Sequence, residues 1–105
     1  MSEKWMIDQR YKDSCIESMF ENLASLRAKA NITQTEIANL IGVSRQTYHA
    51  IEAGKRTMSW NTYLSLLLFY DTNSATHGML RDISAYPTEL MTKMYGAGKG
   101  KGAPV

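Results

Sequence analysis

Residues 33–54 read Thr-Gln-Thr-Glu-Ile-Ala-Asn-Leu-Ile-Gly-Val-Ser-Arg-Gln-Thr-Tyr-His-Ala-Ile-Glu-Ala-Gly, and this stretch decides the fold. Thr33 and Glu36 stand at capping-box spacing. The Thr33 hydroxyl is placed to accept from the amide three residues on, and Glu36 to reach back to the amide of Thr33. Ile32 and Ile37 take the positions of a hydrophobic staple around that cap. Gly42, which adopts positive φ at little steric cost, ends the helix. Just beyond it the device repeats, with Ser44 as N-cap and Val43 and Tyr48 as staple. The second helix stops at Gly54. Two short capped helices joined by a turn of about four residues make a helix-turn-helix.

The apolar positions agree with this reading. Tyr48 and Ile51 share one face of the second helix, as Ile37, Ala38 and Ile41 do on the first. Ala38 is small enough for a close helix crossing. What remains on the second helix is Arg45, Gln46, His49 and Ala50, a contiguous face turned away from the core. Arginine and glutamine bond bidentately to guanine and adenine edges in the major groove. On periodicity alone, a helical hairpin with a solvated polar face explains the same pattern.

The segment from about Leu23 to about Leu68 resembles the Cro and lambda-repressor type of helix-turn-helix domain, the xenobiotic response element family. The resemblance rests on Leu23-x-x-x-Arg27, Ile32-Thr33-Gln34-x-Glu36-Ile37-Ala38, Gly42-Val43-Ser44-Arg45-x-Thr47, Ile51-Glu52-x-Gly54-Lys55-Arg56 and Ser59-x-x-Thr62, in order and at family separations. Met58 departs from a frequent proline and Asn31 from a frequent glycine; asparagine tolerates the left-handed conformation nearly as well. The resemblance implies an all-α, lambda-repressor-like DNA-binding domain of five helices, here with a short extra C-terminal helix. It implies a transcriptional regulator, a repressor acting on a double-stranded DNA operator. Arg45, Gln46 and His49 are then expected to face base edges, and Ala50 a thymine methyl. Gln34 and Thr47 are expected to hold phosphates, joined by Lys55 and Arg56 in the following loop. Asn61 lies in the first turn of the next helix, where backbone amides also meet phosphate. The family commonly pairs the residues matching Arg27 and Glu52, so that ion pair is expected here.

Around this centre, 105 residues with 44% hydrophobic composition bound one domain with a modest core. The longest apolar run, 66–70, is far short of a membrane span, and residues 1–5 lack the features of a signal peptide. One cysteine, Cys15, excludes an internal disulfide and suits a reducing compartment, so a cytoplasmic protein is expected. The net charge of +2 is small, but residues 27–56 carry five basic and two acidic groups while residues 1–26 carry three and five. The positive excess lies on the motif, as a phosphate binder requires.

The expected layout is an N-terminal arm over 1–13, the helix-turn-helix domain over 14–71, a helical extension over 72–95 and a flexible glycine-rich tail over 96–105. Ser14 with Glu17 places the start of the first helix, whose apolar stripe is read through Ile16, Met19 or Phe20, Leu23 and Ala30. Ser59 starts the fourth helix, 74–85 supports a fifth, and 88–95 a sixth beyond Pro87. Ile83, Tyr86, Leu90, Met91 and Met94 cluster after the DNA-binding helices. They either close the domain's own core or join two copies, and a homodimer is expected because one recognition helix reads too few base pairs. An antitoxin that covers a toxin with its flanking segments is the alternative, and a bridging-factor-like interaction module is a third. No catalytic residue, metal site or cofactor is expected: the histidines are His49 and His77, and no phosphate loop is present.

Overall fold

A computed structural model describes residues 5–83 and 85–96. Among these there are six helices and no strand: α1 Gln9–Ala30, α2 Gln34–Ile41, α3 Arg45–Glu52, α4 Trp60–Thr72, α5 His77–Asp82 and α6 Thr88–Tyr95. The architecture is all-α and lambda-repressor-like, five helices with a short sixth.

The local signals act as their chemistry requires. Thr33 Oγ1 accepts from Glu36 N at 3.1 Å, and Thr33 N donates to Glu36 Oε1 at 3.0 Å, so α2 opens on a closed capping box. Gly42 ends α2 at φ 82°, and Asn31 ends α1 at φ 58°. Ser44 and Ser59 cap α3 and α4, each accepting from the amide three residues later.

These caps fix helices whose inner faces meet in one core. Met19, Leu23, Leu26, Ile37, Tyr48, Ile51, Tyr63, Leu66 and Tyr70 are at most 2% exposed, so α1 to α4 converge on a shared centre. Ala38 of α2 is also buried, and α2 packs against α3. On α1 the buried stripe is Cys15, Met19, Leu23 and Leu26; it includes the expected Met19 and Leu23, Ile16 and Ala30 pack half-buried beside it, and Phe20, the alternative to Met19, is exposed.

Two boundaries differ from the sequence reading. The first helix begins at Gln9, five residues before Ser14, and Ser14 with Glu17 lies inside it rather than capping it. The cause is tertiary: the Tyr11 hydroxyl accepts from the amide of Leu90 at 3.1 Å, so α6 holds the early turns of α1. The fifth helix is six residues rather than twelve. Asn73 Oδ1 accepts from the amides of Ala75 and Thr76, and buried Thr76 donates its hydroxyl to Tyr70 O at 2.8 Å. That turn takes up the residues expected in the helix.

The C-terminal cluster mostly closes the core of its own chain. Leu90 is buried, and Ile83, Tyr86 and Met91 pack half-buried against the centre; Met94 alone of the five is exposed. Gly96 ends α6 at φ 81°, and a Cβ there would lie 3.1 Å from the Trp5 ring. The two ends of the described chain therefore meet. The expected tail lies outside the described residues beyond Gly96.

Three buried phenols set the alkaline limit of the fold. The hydroxyls of Tyr48, Tyr63 and Tyr70 close no hydrogen bond among the described residues. Burial pushes all three pKa values up, Tyr70 to about 12. A pKa raised in the folded state gives stability that is present below the unfolded value near 10 and lost as pH rises. Above about pH 10, stability should fall by up to about 1.4 kcal/mol per pH unit for each buried phenol. In an absorbance titration these three phenolates should form only as the helical signal collapses. Ionisation of all six tyrosines with the helical signal intact contradicts this.

Candidate nucleic-acid interface

The polar face of α3 is built by what its other face buries. Tyr48 and Ile51 turn inward, which sends Arg45, Gln46 and His49 to solvent, with Ala50 half-buried beside them. Thr47 is half-buried at the start of the helix; its amide donates to Ser44 Oγ at 3.0 Å, and its own Oγ1 accepts from Ser44 at 2.9 Å. Lys55, Arg56 and Asn61 are all exposed. Lys55 and Arg56 line a groove of about 370 Å³ with Asp13, Glu17 and Phe20 of α1 across from them. Among the described residues neither cation forms an ion pair with a side chain, so both remain available to an outside anion.

Beneath this face lies a charged clamp. Arg27 Nε donates to Glu52 Oε1 at 3.0 Å and Arg27 Nη2 to Glu52 Oε2 at 3.1 Å, a bidentate pair between α1 and the last residue of α3. Arg27 Nη1 also donates to Ile32 O at 3.2 Å, which ties the α1–α2 junction to the same guanidinium. Burial pushes the Glu52 carboxyl up, but hydrogen bonding from Arg27 first, with the Arg27 charge and the neighbouring Gln34 amide behind it, outweighs this and holds the pKa below the usual range. The clamp fixes the angle at which α3 presents its outer face.

A second link joins the two motif helices at the surface. His49 Nδ1 of α3 lies 3.1 Å from Gln34 Oε1 at the first position of α2. The sequence reading gives His49 to bases and Gln34 to phosphate; in the fold the two side chains touch. No spacing rule finds such a pair, because it exists only once α2 and α3 cross. Nor does the sequence alone flag Tyr48 as a neighbour of the Glu52 carboxylate.

Two short helices, each capped at its N-terminus and in contact with each other, with an exposed Arg-Gln-His edge on the second, define the helix-turn-helix class. A family model described as a helix-turn-helix domain matches residues 21–77, and the chain belongs to that family. Such domains are those of DNA-binding regulators. No curated protein and no solved structure matches the chain. Among the described residues no helix is long and apolar enough to cross a membrane, and no group of three histidine, cysteine or acidic side chains could hold a metal ion.

Proposed function

We propose that this chain is a sequence-specific, double-stranded DNA-binding transcriptional repressor of the Cro and lambda-repressor type, cytoplasmic and without enzymatic activity. The observation that carries the reading is the exposed Arg45, Gln46 and His49 edge on a helix clamped from behind by Arg27 and Glu52. Inserted in the major groove, Arg45 suits guanine O6 and N7, Gln46 suits adenine, and Ala50 offers a small apolar surface to a thymine methyl. Gln34, Thr47, Lys55, Arg56 and Asn61 are assigned to phosphates, contacts that set register without reading sequence. Occupying a promoter is enough for repression. The test is binding of the protein to duplex DNA as salt is raised: affinity should fall steeply, with a log–log slope of about −0.9 for each phosphate held. Binding indifferent to salt counts against it.

The protein acts as a homodimer. The joining surface we assign differs from the expected cluster, since most of that cluster is internal. Trp5, Met6, Met94 and Tyr95 are each more than half exposed and gather where the two chain ends meet. The neighbouring charges are Lys12 and Lys93, which border this surface, and Asp8 and Glu89, adjacent in sequence to its lining residues Ile7 and Leu90. Two cations and two carboxylates suit pairing of the surface with its own copy across a two-fold axis. Met6→Ser with Met94→Ser should shift sedimentation equilibrium at micromolar concentration from dimer to monomer. A wild-type chain that stays monomeric, with or without duplex DNA, overturns the dimer. The antitoxin reading uses the same surface, which lies outside matched residues 21–77; co-purification of a stoichiometric toxin would favour it.

A further inference from the structure

We propose that Gln34 sets the tautomer of His49, so that His49 reads, through a bare Nε2 lone pair, a base carrying an exocyclic amine. The inference rests on the DNA-binding reading above and deepens it. It follows from hydrogen-bond polarity passed along four side chains. Arg27 is a donor with no acceptor atom, and an ionised carboxylate is an acceptor only. Glu52 therefore spends its oxygens on donors, two of them from Arg27 at 3.0 and 3.1 Å. The Gln34 amide also helps to hold the Glu52 carboxyl ionised, which its NH₂ end does and its oxygen cannot.

The other end of the amide is an acceptor, and it is the end that faces His49. Gln34 Oε1 lies 3.1 Å from His49 Nδ1. Two lone pairs cannot face each other at that distance, so Nδ1 carries the hydrogen and donates to Oε1. In a neutral imidazole the other nitrogen is then unprotonated. Nε2 of His49 presents an acceptor at the exposed face of α3. In the major groove the donors it can meet are cytosine N4–H₂ and adenine N6–H₂. Gln34 is a positioning residue here, acting on the bases through His49, in addition to any phosphate it holds. The clamp thus reaches the groove: the charge of Arg27 determines which way the last group in the chain is polarised.

The test begins on the free protein, with long-range ¹H–¹⁵N correlation of the imidazole rings at a pH where both are neutral. The chain has two histidines. His77 Nδ1 lies 2.7 Å from the Asp71 carbonyl, which only accepts, so His77 is an internal reference for the Nδ1–H tautomer. His49 should give the same pattern. In Gln34→Met, which keeps the length and removes both polar ends, His49 alone should change pattern and His77 should not. An Nε2–H pattern for His49 in the wild type overturns the proposal without any use of DNA.

The second arm measures binding to duplexes substituted one position at a time. Gln34→Met should lose about a tenfold preference for the amine-bearing base at one position, the size of a single good base contact. A purely phosphate-holding Gln34 would instead weaken every duplex equally, and that result overturns the base-reading role. Failure of the wild type to discriminate among duplexes would sink the DNA reading itself, while the spectrum of the free protein still judges the tautomer.

Discussion

Removing one partner of the Arg27–Glu52 pair should be among the most damaging changes to stability outside the apolar core. Glu52→Ala strands a guanidinium that is only 25% exposed, and Arg27→Ala strands a carboxylate that is 12% exposed. Breaking a buried pair costs about 3–5 kcal/mol, and the residual exposure of Arg27 places the expected loss near ~3 kcal/mol. For a domain of this size that lowers Tm by roughly 10–20 °C. Replacing both at once, Arg27→Met with Glu52→Leu, should recover much of the loss, because no charge is then left without its partner. The acid side follows from the same pair. A carboxyl whose pKa is lowered on folding contributes stability above its unfolded value near 4.3, and the contribution is lost as pH falls below it. Glu52→Gln should therefore flatten the acid limb of the stability profile. Single variants within ~1 kcal/mol of the wild type in urea melts would show that the pair carries little.

On the binding side the largest effect belongs to Arg45. It opens α3 exposed to solvent and forms no ion pair among the described residues. Arg45→Ala should cost about 1–3 kcal/mol on the preferred site and relax discrimination at one base pair. Lys55→Ala should weaken all duplexes alike and flatten the salt slope by about 0.9. The two variants therefore separate reading from holding. Equal losses of Arg45→Ala on preferred and random DNA would reassign that side chain to a phosphate.

Much of this architecture is legible in the sequence because its signals are local. Thr33, Glu36, Ser44 and Ser59 each cap a helix through an atom three residues away, and Gly42 ends one by its own backbone freedom. Such chemistry needs no knowledge of the tertiary fold. The Arg27–Glu52 pair spans 25 residues and was reached only through resemblance to a family. What the sequence hid is what distant segments do to each other. Tyr11 meets the Leu90 amide across 79 residues, which lengthens α1 past a plausible capping box. The Asn73 turn competed with helix over 74–76 and prevailed, because Thr76 could bury its hydroxyl against Tyr70 O. The exposed surface of Trp5, Met6, Met94 and Tyr95 joins residues from opposite ends of the chain, and the Gln34–His49 contact needs two helices already crossed.

The candidate interface divides along the same line. The residue types on the outer face of α3 follow from helical spacing once Tyr48 and Ile51 are placed inside. Their polarity does not, since it depends on partners that only the packed helices supply. A histidine read as one exposed side chain meets, in the fold, the Gln34 amide of the neighbouring helix.

The most direct test of the account is enrichment of bound duplexes from a random-sequence pool by the full chain at near-physiological salt. The expected product is a two-fold symmetric sequence whose half-sites are centred about 34 Å apart, one turn of DNA. Each half-site should hold a guanine matched to Arg45, and its selection should disappear with Arg45→Ala. A pool that stays random after repeated rounds, while the protein remains folded, would contradict the central claim that the outer face of α3 reads DNA.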